Sequence, residues 1–282
     1  MTRLAVAALL TLTLAPPSIE LSVQSRTLGP GELVILSITL SAPVEHVRVR
    51  AFDRDIPAFR ESERVWRALV GVDLDVRPGS YTITVAAGSA DASYALIVKP
   101  RTFRTRRLTV NEAFVTPPSS EQARIREEAA LLATVWRSAA GERLWNGGFV
   151  RPVPGVANSA FGTRSVYNGK PRTPHGGADF LSPGGTPVHA PNAGRIAVAR
   201  ALYFTGNTVV IDHGLGLFST LAHLSTIDVQ EGGVVAAGEV IGEVGATGRV
   251  TGPHLHWAVR ANDARVDPLS LLALLGAPEP RP

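Results

Sequence analysis

The sequence predicts a mainly β protein: an N-terminal Ig-like β-sandwich, a short connecting helix and a C-terminal antiparallel β region. Three observations predict it. Residues 19–99 run as short apolar/polar alternations closed by Gly and Pro turns, the pattern of half-buried strands. Residues 119–138 switch to helical spacing. From Gly148 onward, short strands and Gly-rich turns return, and six of the seven histidines fall there, between 175 and 256. With 282 residues, 45% of them hydrophobic and 18% charged, the chain can bury a substantial core as one large domain or two modest ones.

The elements follow in order. Arg3 precedes an apolar stretch from Leu4 to Ala15, closed by Pro16-Pro17. That stretch is too short to span a bilayer and has the layout of a secretory signal peptide, so residues 1–18 are expected to direct export to the periplasm, cell envelope or exterior, with no transmembrane anchor after cleavage. In 19–99, "VRVRAF" (47–52) alternates Val47, Val49 and Ala51 with two arginines, and "VGVDLDV" (70–76) alternates Val72, Leu74 and Val76 with two aspartates. A Pro78-Gly79 turn then leads into Tyr81, Ile83 and Val85. His46 reads as a solvent-facing residue. Residues 100–147 form a linker: a basic stretch containing Arg104, Arg106 and Arg107, then the helix. Ser119 and Gln122 fit a capping box, and Ile125, Ala129, Leu132 and Trp136 share one helical face. The C-terminal domain is expected over 148–275.

Composition excludes several chemistries. The chain has no cysteine, so it has no disulfide, no thiolate metal site, no cysteine nucleophile and no Cys-borne lipid anchor. A metal site would have to use His and carboxylates. The formal charge of +4 suits polyanionic surroundings, but no long basic run or nucleic-acid motif is present, so nucleic acid is not an expected partner.

The chemistry-bearing residues cluster in three motifs. "PHGGADF" places His175 four residues before Asp179, with Gly176-Gly177 pointing to a loop that leads into a strand near Asp179. "STLAHLS" carries His223. "TGPHLHWAVR" places His254 and His256 at i and i+2, on one face of a strand, with Leu255 and Trp257 on the other. Two imidazoles and a carboxylate suit a catalytic zinc ion that leaves its fourth position to water or substrate. Further imidazoles beside such a metal can orient the water, accept its proton or stabilise an oxyanion. Each motif alone is weak; HxH also occurs in non-catalytic metal sites. Their combination with Gly and Pro framing carries the signal.

The segments "SAFGTRSVYNGKPRTPHGGADF" (159–180), "GTPVHAPNAGRI" (185–196), "NTVVIDHGLGLFSTLAHLS" (207–225) and "GATGRVTGPHLHWAVR" (245–260) resemble the LytM/M23 family of zinc metallopeptidases, lysostaphin-like enzymes included, over roughly residues 148–272. The resemblance implies a compact, mainly antiparallel β-fold (the duplicated hybrid motif) with a groove over one Zn²⁺. It matches His175, Asp179 and His256 to the zinc ligands, and His223 and His254 to catalytic histidines outside the metal's resting shell. It implies a peptidoglycan endopeptidase acting on stem peptides or cross-bridges. Relatives that have lost ligands act as activators of other wall hydrolases; here all five positions are intact. His189 is expected to be a wall residue, His213 to serve a turn or strand end, and Arg164 to be structural or to touch substrate.

Overall fold

A computed structural model of the protein describes residues 18–109, 115–157 and 161–277. The expected leader lies almost wholly outside the described residues. The first eight strands are β1 (Ile19–Gln24), β2 (Leu33–Leu40), β3 (Val47–Ala51), β4 (Arg54–Ile56), β5 (Ala58–Arg60), β6 (Val65–Gly71), β7 (Gly79–Ala87) and β8 (Ala90–Val98). They form two four-stranded antiparallel sheets, ordered β1-β2-β6-β5 and β4-β3-β7-β8. Alternation decides which residues face inward. Leu36, Ile38, Ala68 and Val70 of one sheet meet Val49, Ile83, Val85 and Leu96 of the other in a single apolar cluster.

One strand lies earlier than its alternation suggests. β6 ends at Gly71, and Leu74-Asp75 forms a turn in which the Asp73 carboxylate accepts the Asp75 backbone N–H at 3.0 Å. The Asx interaction competes with the ladder here, so the alternating run 72–76 is not a strand. His46 is exposed immediately before β3, as expected.

The basic connector becomes an edge strand, β9 (Thr105–Leu108). A 3₁₀ turn (Ser119–Glu121) precedes helix α1 (Gln122–Arg137). The capping box does not form: no side chain caps this helix, and the Gln122 amide reaches back to the Pro117 carbonyl instead. The packed stripe is also displaced. Val135 is buried, and with Leu131, Leu132 and Trp136 it packs on Val198, Val210 and Phe218, whereas Ala129 is exposed.

Thereafter come β10 (Arg164–Tyr167), β11 (Lys170–Pro171), β12 (Gly177–Phe180), β13 (Pro187–His189), β14 (Gly194–Leu202), β15 (Gly206–Gly214), β16 (Leu217–Ile227), β17 (Val234–Val235), β18 (Val240–Val244), β19 (Leu255–Ala261) and β20 (Ala264–Val266), followed by α2 (Pro268–Leu275). β9 pairs in parallel with β10, which pairs with β11. The remaining strands form one antiparallel sheet of order β12-β19-β16-β15-β14-β17, with β13, β18 and β20 attached. Thus the two β regions and the intervening helix of the sequence reading are present.

The two β regions share a core. Leu33, Ile35 and Leu69, on the outer face of the first sheet, join Trp145, Phe149, Val259 and Val266 in one cluster. Polar contacts reinforce that face. Glu32, 1% exposed, receives Arg26 at 2.6 Å, Arg101 at 2.9 Å and the Ser270 hydroxyl at 2.7 Å. Arg26 and Arg101 also bind Asp267, whose carboxylate caps α2 through the Leu269 N–H.

Candidate functional site

β12 and β19 are antiparallel neighbours, and their register places Asp179 directly opposite His256. Paired residues of adjacent strands project to the same face. The Asp179 Oδ1 atom consequently stands 2.8 Å from His256 Nδ1. His175 enters from the loop before β12, held by its N–H to the Thr163 carbonyl and by its own carbonyl from the Gly162 N–H. Its Nε2 lies 3.0 Å from Asp179 Oδ1 and 3.1 Å from His256 Nδ1. Gly177 makes room for this arrangement: a Cβ there would sit 2.8 Å from the His256 ring and 2.4 Å from the Trp257 carbonyl.

β19 alternates as its sequence predicts. Leu255 and Trp257 are fully buried, whereas His254 and His256 each keep 16% of their side chains exposed. His254 Nε2 stands 3.9 Å from Asp179 Oδ1. His223 reaches the same place by a different route. β16 pairs Ala222 with His256, so a regular strand would turn the next residue, His223, to the opposite face. Instead His223 adopts φ 66° at an irregularity where β16 leaves β19 and begins to pair with β18. The left-handed residue redirects its ring, which lies 4.8 Å from His254 and 5.9 Å from His256 by centroids. A non-glycine residue in this region is strained, and such strain concentrates at functional sites. Nothing in the period-two pattern announces it.

Both outer histidines are tethered through Nδ1. His223 Nδ1 lies 3.0 Å from the Thr247 carbonyl, and His254 Nδ1 lies 2.9 Å from the Gly252 carbonyl. A carbonyl only accepts, so each Nδ1 carries the hydrogen and each neutral ring keeps Nε2 as an acceptor. Burial pushes His223 down to about 4 and lowers His256 as well. For Asp179, burial alone would raise the pKa, but hydrogen bonds from His175 and His256 hold it far below the ordinary carboxylate range. A metal ion requires an ionised carboxylate and imidazole nitrogens without hydrogens, so an ion held here would replace the hydrogens that His175 and His256 share with Asp179.

The donor set fits such an ion. Three atoms, two imidazole nitrogens and one carboxylate oxygen, converge within 3.1 Å of one another. Corners of a zinc tetrahedron with bonds of about 2.0–2.1 Å stand about 3.3 Å apart. His175, Asp179 and His256 keep 16–21% side-chain exposure, so one side of the cluster stays open.

The other sequence candidates lie elsewhere. His213 is fully buried, its Nδ1 2.8 Å from the Ala193 carbonyl and its Nε2 2.9 Å from the Ser219 hydroxyl. His189 hydrogen-bonds the Gly238 carbonyl at 2.8 Å, and no hydrogen bond joins it to the cluster among the described residues. Arg164 is exposed on β10, its backbone N–H donating to the Arg104 carbonyl.

Residues 173–268, which contain the whole cluster, match the family model described as Peptidase family M23. A crystal structure described as a putative peptidase M23 from Pseudomonas aeruginosa is 33% identical, with a TM-score of 0.71 over 88% of this chain and 96% of that chain. The chain belongs to peptidase family M23. Among curated M23-region relatives, the DD-carboxypeptidase/endopeptidase Mpg of Neisseria meningitidis serogroup B is 46% identical over 97 residues, 34% of this chain and 22% of that protein. The peptidoglycan DD-endopeptidase ShyA of Vibrio cholerae is 48% identical over 84 residues, 30% of this chain and 20% of that protein. The matched segment thus spans about a fifth of each curated relative.

Proposed function

We propose that the chain is an exported zinc metalloendopeptidase that hydrolyses peptide bonds in peptidoglycan stem peptides or cross-bridges. One observation carries the reading: three donor atoms converge on one point, open on one side, while two further histidines beside it each present a free Nε2. A structural metal site would close its fourth position with another side chain, whereas three ligands and an open side suit catalysis. His175, Asp179 and His256 are the residues to hold the ion. When bound, zinc supplies Lewis acidity, acidifying water and polarising the scissile carbonyl.

The remaining steps belong to the protein. His223 and His254 share the proton traffic at Nε2: accepting a proton from the attacking water, donating to the carbonyl oxygen as it gains charge, and returning a proton to the leaving amine. The carbonyls of Thr247 and Gly252 hold both rings in the required tautomer. Peptidoglycan as substrate is supported by the relatives named for its hydrolysis. Export is supported by Arg3 and the apolar Leu4–Ala15 segment, and no helix among the described residues is long and apolar enough to cross a membrane.

The test is digestion of purified peptidoglycan and defined cross-linked muropeptides by the full chain, with mass spectrometry of the products. Cleavage at an amide bond, abolished by a chelator and restored by zinc, is expected. A zinc-loaded protein that releases no fragment from any preparation contradicts the reading.

A further inference from the structure

The small sheet of β9, β10 and β11 concentrates charge that the mechanism does not use. Residues 99–109 and 161–175, which build this sheet and lead to His175, carry eight of the chain's 28 Lys and Arg and none of its 24 Asp and Glu. The formal charge of +4 therefore originates here, because the remainder of the chain holds more acidic than basic residues. Several of these cations are occupied. Arg101 belongs to the Glu32–Asp267 network, Arg106 Nε donates to the Ser165 hydroxyl at 2.8 Å, and Arg172 donates to the Val115 carbonyl at 2.8 Å. Arg107 and Arg164 differ. Both are exposed, and neither side chain has an ion pair or hydrogen bond among the described residues.

The register puts these two on one face. β9 and β10 run parallel, with Arg164 opposite Thr105 and Arg107 opposite Val166. Opposed residues project together, as do residues two apart along a strand, so Arg107 and Arg164 stand diagonally, about 8 Å apart at Cα. Arg106 and the buried Ser165 take the other face, which leaves the arginine pair facing outward. Beside Arg107, Thr109, Val166 and Asn168 line a hollow of about 510 Å³. The same backbone holds the candidate site: the Thr163 carbonyl accepts the His175 N–H, and the Ser165 carbonyl accepts the Arg172 N–H. Arg164 thus follows directly on the residue that positions His175.

We infer that Arg107 and Arg164 form an anchoring surface for the free carboxylates of peptidoglycan peptides, outside the cluster that carries out hydrolysis. The inference rests on the peptidase reading for its substrate. An exposed guanidinium holds a carboxylate weakly when it acts alone. Two on one rigid face, met by a polymer that repeats its carboxylates, bind more tightly because the second contact is intramolecular. The surface retains the enzyme on the insoluble wall and is not needed for hydrolysis of a short soluble peptide.

The test is co-sedimentation of the full chain, stripped of metal, with purified insoluble peptidoglycan. Arg107→Gln/Arg164→Gln is expected to weaken binding about tenfold. Amidating the wall carboxyls is expected to weaken the wild type to the same level and to leave the double variant unchanged. Arg107→Lys/Arg164→Lys, which keeps the charge, is expected to recover most of the binding. Arg48→Gln/Arg50→Gln removes the same charge from exposed positions on β3 and is expected to bind as wild type. Equal weakening by the two Gln pairs, indifference of the wild type to amidation, or no recovery by the Lys pair overturns the proposal. So does stronger competition by a soluble phosphate-bearing wall polymer than by carboxylate-bearing peptides. The zinc-loaded Arg107→Gln/Arg164→Gln enzyme is expected to cut a short soluble cross-linked peptide with kcat/KM within about twofold of wild type. A large loss on that peptide would move the arginines into the reaction site and overturn the anchoring role. A zinc-loaded wild type that binds the wall in this carboxylate-dependent way but cuts nothing would overturn the peptidase reading and leave the anchoring surface standing.

Discussion

Behind the strand that carries His256, with His254 immediately before it, the Trp257 indole N–H donates to the Ser219 hydroxyl at 3.2 Å. That hydroxyl donates to His213 Nε2, and His213 Nδ1–H donates to the Ala193 carbonyl. Every hydrogen in this line is used only if His213 is neutral. Burial drives its pKa down to about 4, opposed by the Ala193 hydrogen bond. Its folded value lies below the ordinary 6.5, so the unfolded chain takes up the proton first as pH falls. Stability from this group is complete above pH 6.5 and is lost progressively down to about pH 4, by about 3 kcal/mol in all. Urea unfolding across that window is expected to show a shallower pH dependence for His213→Gln than for wild type; parallel curves would contradict it. The motif "DHG" gives a strand-end role, and His213 is the penultimate residue of β15. Its burial depends on Phe149, Ala193 and Ser219, partners the local sequence does not reveal.

At the scale of elements, legibility divides by the range of the interaction. Period-two alternation gives β3, β7 and β19 with their buried faces, because a strand's facing is a local property. It misplaces the strand at 70–76, where an Asx turn intervenes, and it predicts a cap that α1 does not make. The left-handed turn at His223 is invisible for another reason: it arises where β16 changes partners from β19 to β18. The junction of β2 and α2 is likewise non-local, since Glu32 and Ser270 are 238 residues apart. Glu32→Ala would leave two guanidinium groups facing a site that had lost one carboxylate. Breaking a buried pair from one side costs about 3–5 kcal/mol. Chemical denaturation is expected to show a loss of that order, and a change under about 1 kcal/mol would contradict the role given to this network.

At the scale of the whole molecule, the mainly β architecture is readable because its signals repeat along the chain. The docking of the two β regions is not, because Leu33, Ile35 and Leu69 look like any other strand positions until their neighbours are known. The gathering of the site is partly legible. HxH gives the common face of His254 and His256, and HxxxD gives the nearness of His175 and Asp179. The register of β12 on β19, which brings those motifs together, comes only from the fold. The central claim is a division of labour among five residues: three hold the metal, and two act on water and substrate. Zinc content and peptidoglycan cleavage, measured together on purified His256→Ala and His254→Ala, test it most directly. The account predicts that His256→Ala loses both metal and activity, while His254→Ala keeps one zinc per chain and loses activity. Equal zinc loss in both variants, or full activity in His254→Ala, would contradict it.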